Sequence, residues 1–196
     1  MTPSIIFPED TFGLFISGGF DSALMLHLYC IEAKNKNIDT LHCITIDRGS
    51  AAVEFGKSIC QWAEKLHQIK INHLIVSIPE KLHHSQHISY PAQQLFRFGF
   101  KTLISADTQN PDIKLPGTEP TRIPPDANFS GWHFPFAKMD KRETVELAHQ
   151  IGILDEISEL SHSCTETSGE RCGSCWQCNE RSWAFKEAGL IDIGKY

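Results

Sequence analysis

Two groups of residues in this chain have types and spacings that suit chemistry. The first is the segment Ser17–Ser22, in which two adjacent glycines are followed by a variable residue, an aspartate and a serine. Free backbone N–H groups at a helix start bind anions such as phosphates, and glycines let the backbone come close to them. The second group consists of the cysteines Cys164, Cys172, Cys175 and Cys178, enough thiolates to complete a tetrahedral metal site.

The glycine segment needs a strand before it and a helix after it. An apolar run predicts a strand over about 11–17, and apolar periodicity predicts a helix over about 22–35. Neither a Walker loop nor a dinucleotide-binding glycine motif occurs, so the spacing indicates a different phosphate loop. An ordinary glycine-rich turn in another α/β protein remains the alternative. The residues expected to contact a nucleotide here are Phe15, Ile16, Ser17, Gly18, Gly19, Phe20, Asp21 and Ser22.

Strand and helix patterns alternate along the first half of the chain. Strands are predicted over Thr40–Asp47, 73–78 and 102–106, and helices over 51–68 and up to about residue 98. This rhythm predicts one α/β domain with an open parallel sheet and helices on both faces. Ligands of such sheets bind at the carboxyl ends of the strands, which adds Ile46, Asp47 and Asp107 to the candidate site. Asp47 suits a ribose or a metal, and equally an ordinary turn.

A proline-rich connection over 107–135 separates these elements from the C-terminal region. Connections of this length are usually functional, so we expect a substrate lid, with a passive insert as the alternative. A helix is predicted to start after Asp140, because Asp140 and Glu143 have the spacing of a capping box, and to end at Gly152. Lys141 at this helix start is the expected cation for phosphates, although a solvated lysine would look the same in sequence.

The cysteines and the net charge limit the function further. Cys30, Cys43 and Cys60 lie in apolar segments and are expected to be buried, whereas the four C-terminal cysteines predict a structural zinc site within 161–185. Two disulfides or an iron–sulfur cluster are the alternatives. The net charge of −6 argues against stable nucleic-acid binding, and the sequence contains neither a membrane span nor a secretory signal. We therefore expect a cytoplasmic protein with a small-molecule substrate.

The segment Ser-Gly-Gly-Phe-Asp-Ser resembles the PP-loop of the N-type ATP pyrophosphatases, which split ATP between its α- and β-phosphates. Combined with the cysteines, it resembles the 7-cyano-7-deazaguanine synthase (QueC) family. The residues that carry this likeness are Phe134-Pro135-Phe136, Lys141-Arg142-Glu143, and the tail from Ser163-Cys164 through Cys172-Gly173-Ser174-Cys175 to Arg181. The chain departs from the family at Leu82–Ser85 and in the stretch 108–114, where the family has its substrate motifs.

The resemblance implies an adenine nucleotide alpha hydrolase-like fold, structural Zn²⁺, Mg²⁺, ATP as substrate and a homodimer. It implies that the carboxylate of 7-carboxy-7-deazaguanine is adenylated and converted with ammonia, through the amide, to 7-cyano-7-deazaguanine (preQ0). Asp21 would hold Mg²⁺ or orient the loop, and Lys141 would neutralise phosphates. The expected substrate contacts are His83, His84, Asp107 and Arg181, with capping of the zinc helix as the alternative for Arg181.

Other functions remain compatible with these residues. The divergent middle region suits a QueC-like enzyme that adenylates a different acid, makes an amide or modifies a macromolecule. A tRNA thiolase or an amidotransferase-like synthetase is another PP-loop alternative. A nucleotide-binding, zinc-stapled interaction module without catalysis is the alternative outside enzymes.

Overall fold

A computed structural model describes residues 3, 5–48, 51–79, 86–122, 129–166 and 170–194. The strands are β1 (Phe12–Phe15), β2 (Thr40–Asp47), β3 (Lys70–Ser77), β4 (Thr102–Ile104) and β5 (Trp132–His133). The helices are α1 (Phe20–Asn35), α2 (Ala52–His67), α3 (Gln86–Arg97), α4 (Lys141–Gln150), α5 (Leu154–Leu160) and α6 (Trp176–Glu187). None of the helices in the described ranges is long and apolar enough to cross a membrane.

The five strands form one parallel sheet in the order β3-β2-β1-β4-β5. Leu14 of β1 is opposite Cys43 of β2 on one side and Ile104 of β4 on the other. The chain moves outward from β1 to β3 and then returns to the far side of β1, so the strand order reverses between β1 and β4. In open parallel sheets a crevice for ligands forms at this point.

Apolar side chains cover both faces of the sheet, as predicted. The larger core cluster joins one face to α1, α2, α4, α5 and α6, with Leu14 and Cys43 among its fully buried strand residues. The smaller cluster joins Phe15 and Ile44 to Ala92 and Leu95 of α3 on the opposite face. The α/β class with a parallel sheet is therefore confirmed.

Several element boundaries differ from the prediction. Helix α1 begins at Phe20, because Gly19 has extended backbone angles (φ −86°, ψ 167°) and serves as the N-cap. Strand β3 begins at Lys70, because it pairs with β2 along its whole length. Strand β4 ends at Ile104, and the two-residue strand β5 lies inside the connection predicted as a lid over 107–135.

Helix α4 has the predicted start. The Asp140 side chain accepts a hydrogen bond from the Glu143 N–H, and the Glu143 side chain accepts one from the Asp140 N–H. This reciprocal capping box satisfies two backbone donors that would otherwise lack helical partners. The capping fixes Lys141 as the first residue of the helix.

Candidate active site

The segment Ser17–Ser22 forms a turn braced by its own hydroxyl groups. Gly18 has φ +83°, a conformation that favours glycine, and a Cβ there would come within 2.9 Å of Phe55 Cβ. Ser22 Oγ donates to the Gly19 carbonyl at 2.8 Å, and Ser17 Oγ donates to Ser22 Oγ at 3.3 Å. The turn is therefore held open at the amino end of α1, where the helix dipole favours an anion.

Asp21 is bonded to the first turn of α4. Lys141 Nζ donates to Asp21 Oδ2, and Thr144 Oγ1 donates to Asp21 Oδ1 at 2.8 Å. All three residues are at least 90% buried. Charged side chains rarely lie so deep unless they are paired. The pair joins the two residues predicted to be catalytic, although they lie 120 positions apart.

A cavity of about 550 Å³ lies above this pair, at the reversal in strand order. Its volume falls within the ~300–1,000 Å³ typical of small-molecule sites. It is lined by Phe15, Ile16, Ser17, Gly19, Asp21, Ser22, Ile44, Ile46, Arg48, Ala51, Ala52, Phe55, Ile88, Ser105, Ala106, Asp107, Arg122, Lys141, His162, Ser163, Cys164, Thr165, Gln177 and Glu180. This cavity is therefore the place where the Ser17–Ser22 turn meets the segments that follow β2 and β4, as expected for the carboxyl ends of the strands.

Some residues predicted to contact a nucleotide do not line this cavity. Gly18 packs against α2, and the Phe20 side chain is fully buried against Phe185, with ring centroids 5.9 Å apart. Asp47 lies beside the cavity-lining residue Ile46 but is not part of the wall. Of the Ser17–Ser22 turn, the residues that line the cavity are thus Ser17, Gly19, Asp21 and Ser22.

Asp107 lines the cavity wall and accepts a hydrogen bond from Ser105 Oγ at 2.5 Å. Burial lowers the pKa of Arg48, which also lines the cavity, and the negative charge of Asp107 opposes this shift. His83 and His84, the other expected substrate contacts from the middle of the chain, lie outside the described residues.

Arg181 is placed in the core, which disagrees with the expected contact to a substrate. Its side chain is fully buried and donates to both carboxylate oxygens of Asp192 and to the carbonyls of Ser158 and Ser161. Arg171 also bonds to Asp192, at 2.6 Å. The guanidinium group of Arg181 is therefore committed to holding the C-terminal tail on α5 and α6, and it does not line the cavity.

A second charged pair on the cavity wall was not predicted from sequence. Arg122 Nη2 donates to the two oxygens of Glu180 at 2.8 and 2.9 Å. Burial raises the pKa of Glu180 above its ordinary value, against the lowering effect of the charges on Lys141 and Arg122. No local pattern could reveal this pair, because its members are 58 positions apart.

Residues 107–122, here called the strap, cross the start of α6. The Asn179 side chain donates to the carbonyls of Pro116, Ser174 and Cys175. Gly117 has φ +97°, and a Cβ there would lie 2.6 Å from the Trp176 backbone nitrogen. The strap thus forms part of the cavity wall by close contact with α6, while residues 123–128 of the predicted lid lie outside the described residues.

The four C-terminal cysteines form one compact cluster beside the cavity. Their sulfur atoms all lie within 4.8 Å of one another, and the Cys172–Cys178 and Cys175–Cys164 sulfur distances are both 4.0 Å. Tetrahedral zinc with Zn–S bonds of about 2.3 Å requires sulfurs roughly 3.8 Å apart. None of the four thiols is joined in a disulfide, because these sulfur distances are about twice the length of a disulfide bond, so the disulfide alternative does not hold here. The cluster could hold one metal ion.

Hydrogen bonds prepare one of these sulfurs for the thiolate form. Bonds from the Ser174 hydroxyl, and then from the N–H groups of Ser174 and Cys175, lower the pKa of Cys172 to about 6. Burial raises the pKa of Cys178 to about 12. A metal ion lowers thiol pKa values strongly, so a bound cation would offset the burial of the Cys178 thiolate.

The comparisons with known proteins each cover about a third of the chain. Residues 128–189 match the family model described as queuosine biosynthesis protein QueC. The 7-cyano-7-deazaguanine synthase of Methanococcus maripaludis strain C7 is 39% identical over 67 residues, which are 32% of this chain and 29% of that protein. The Chromobacterium violaceum enzyme of the same name is 40% identical over 60 residues, 31% of this chain and 25% of that protein.

A third relative gives the same result. The 7-cyano-7-deazaguanine synthase of Gloeobacter violaceus is 36% identical over 69 residues, 34% of this chain and 30% of that protein. The matches therefore span less than a third of these relatives' own lengths. The model-matched segment contains Lys141 and the four clustered cysteines, residues on which the resemblance was based. Residues 128–189 of this chain are therefore similar to the QueC family.

Proposed function

We propose that this protein is an ATP-dependent carbon–nitrogen ligase of the 7-cyano-7-deazaguanine synthase type. It adenylates the carboxylate of 7-carboxy-7-deazaguanine and converts it with ammonia, through the amide, to 7-cyano-7-deazaguanine. The contact of Lys141 with Asp21 carries the proposal. It joins the QueC-matched segment to the Ser17–Ser22 turn, which lies outside that match, at one cavity.

The reaction begins with an attack of the carboxylate oxygen on the α-phosphorus of ATP. The bond from that phosphorus to the bridging oxygen breaks, pyrophosphate leaves, and an acyl adenylate remains. Positioning and charge stabilisation supply most of the catalysis in phosphoryl transfer. The N–H groups of the Ser17–Ser22 turn and the amino end of α1 would hold the leaving pyrophosphate, as the open turn supports.

Lys141 would neutralise the charge that develops on the phosphates. Its ammonium group is buried beside Asp21, and the capping box fixes its place at the start of α4. Asp21 would orient this ammonium group, because both of its oxygens are bonded to residues of α4. Mg²⁺ would supply further charge neutralisation when bound with ATP.

Ammonia then attacks the acyl carbon, AMP leaves, and a proton is released to give the amide. The amide oxygen then attacks the α-phosphorus of a second ATP and pyrophosphate leaves, after which loss of AMP and of both amide protons gives the nitrile. The cysteine cluster would hold Zn²⁺ with no open position, so its role would be structural. Its contribution would be to fix the start of α6, which carries Glu180 into the cavity wall.

The test is incubation of the metal-loaded protein with ATP, Mg²⁺, ammonium and 7-carboxy-7-deazaguanine. We expect pyrophosphate and AMP to accumulate and the nitrile to be detected by mass spectrometry. Lys141→Met should reduce the rate by about 100-fold or more, as loss of one group that stabilises transition-state charge does. Lys65→Met, at an exposed position of α2, is the matched control and should retain full activity.

Two other outcomes would redirect the assignment. Pyrophosphate release that needs a different acid would refute the deazaguanine substrate and favour an altered QueC-like enzyme. ATP binding without pyrophosphate release in the presence of any acid would refute the ligase and favour the nucleotide-binding, zinc-stapled interaction module.

A further inference from the structure

Arg122, like Arg48, is a cation on the cavity wall to which the proposed chemistry assigns no role. It lies on the strap, its side chain is 18% exposed, and it faces the same cavity as Lys141. The Ser17–Ser22 turn and Lys141 already supply donors and positive charge for phosphates. A second cation carried by a separate segment is therefore available to bind a group other than the phosphates.

Three contacts hold the Arg122 guanidinium in one orientation. Nη2 donates to both oxygens of Glu180, and Nε donates to Asn110 Oδ1 at 3.0 Å. The guanidinium carbon lies 5.2 Å from the ring centroid of Trp176, over the indole face. A guanidinium group fixed in this way loses little further entropy when it binds a ligand.

The remaining donors of Arg122 are on Nη1. Among the residues that the structure describes, Nη1 makes no hydrogen bond, whereas Nη2 and Nε both do. A guanidinium edge matches the planar geometry of a carboxylate. The adjacent Glu180 carboxylate makes the pair neutral as a unit, which suits a monoanion better than the strongly charged triphosphate of ATP.

Resting on the proposed function, we propose that Arg122 is the residue that binds the acid substrate. Its Nη1 group would bond to the carboxylate of a planar aromatic acid and hold that carboxylate against the nucleotide. Glu180, Asn110 and Trp176 would position the guanidinium. The adenylation then joins an acid held by the strap to a phosphate held by the turn.

The experiment measures ligand binding separately from turnover. Isothermal titration gives the affinity of the metal-loaded protein for a non-hydrolysable ATP analogue, and then the affinity of that complex for 7-carboxy-7-deazaguanine. We expect Arg122→Gln to weaken acid binding about 10- to 100-fold, the loss of one charged hydrogen bond, with ATP-analogue affinity changed less than about twofold. Arg97→Gln, at an exposed position in the last turn of α3, is the matched control.

A second pair of variants separates binding from folding. Because Arg122→Gln leaves the buried Glu180 carboxylate without its partner, the double variant Arg122→Gln with Glu180→Gln is compared with Glu180→Gln alone. Asn110 and Trp176 still contact the guanidinium in Glu180→Gln, so we expect the double variant to bind the acid about 10- to 100-fold more weakly than Glu180→Gln alone does. In the active enzyme, loss of Arg122 should raise the KM for the acid by the same factor and leave the KM for ATP unchanged.

The possible outcomes separate this inference from the proposed function. Equal acid affinity in wild type and Arg122→Gln would overturn the role of Arg122 and leave the ligase standing. A parallel loss of ATP-analogue and acid affinity would also overturn it, because Arg122 would then belong to the phosphate site. A wild-type protein that binds the ATP analogue but not the acid would overturn the proposed substrate, and this assignment with it.

Discussion

Acidification should destabilise this protein through a buried pair of histidines between α1 and α2. His27 and His67 are each 6% exposed, and His27 Nδ1 lies 3.1 Å from His67 Nε2. The His27 ring also stacks on Trp62, with centroids 5.9 Å apart. Burial, and then the charge on His67, lower the pKa of His27 from 6.5 to about 4. Burial also lowers the pKa of His67.

The sign of the effect follows from proton binding. Between pH 6.5 and about 4 the unfolded chain binds a proton at His27 and the folded protein does not, so stability falls as the pH falls through this window. Between pH 7.5 and pH 5 the loss from His27 alone is about 2 kcal/mol. For a chain of this size that corresponds to a decrease in Tm of roughly 4–8 °C.

The measurement is urea denaturation of wild type and His27→Gln at pH 7.5, 6 and 5. Glutamine does not titrate and can still bond to His67. Between pH 7.5 and pH 5 the free energy of unfolding of His27→Gln should therefore fall by about 2 kcal/mol less than that of the wild type. Protonation of the cysteine thiols at low pH weakens metal binding equally in the wild type and the variants. Comparing the proteins with one another at each pH therefore removes this effect. His149→Gln, exposed in the last turn of α4, should follow the wild-type curve. Parallel curves for His27→Gln and wild type would refute the reasoning.

Two further predictions concern the C-terminal region. Asp192→Asn should lower the free energy of unfolding by about 3 kcal/mol, seen as a fall in Tm of roughly 6–12 °C, because two buried guanidinium groups lose their carboxylate. Removing the metal with a chelator, or replacing Cys172 by serine, should speed backbone hydrogen exchange in the strap. The strap packs on the start of α6, between the clustered residues Cys175 and Cys178.

Controls for these two predictions are available in the same chain. Glu187→Gln removes an exposed carboxylate from the last turn of α6 and should leave Tm within about 2 °C. For the metal experiment, β2 lies between β3 and β1 in the sheet, so its amides should exchange equally slowly with and without metal. Equal strap exchange in both forms would contradict the coupling, and an unchanged Tm in Asp192→Asn would contradict a stabilising role for the buried pairs.

The turn, the capping box and the cysteine cluster could be predicted from sequence because each is formed by residues that lie close together along the chain. A turn of adjacent glycines, the Asp140–Glu143 spacing and closely spaced cysteines each depend on neighbours within a few residues. The parallel sheet also followed from sequence, because alternating strand and helix periods leave few topologies. Sequence alone therefore determined the α/β class, the position of the Ser17–Ser22 turn and the four residues of the cysteine cluster.

Tertiary structure decided which charged side chains reach the cavity. Arg181 looked suited to a substrate, yet its donors are taken by Asp192 and by backbone carbonyls of α5 and the segment after it. Arg122 gave no local signal, yet Glu180 holds it on the cavity wall. A buried charge requires a partner, and its partner can lie anywhere along the chain. Only the folded chain brings such partners together, so their pairing could not be predicted from spacing.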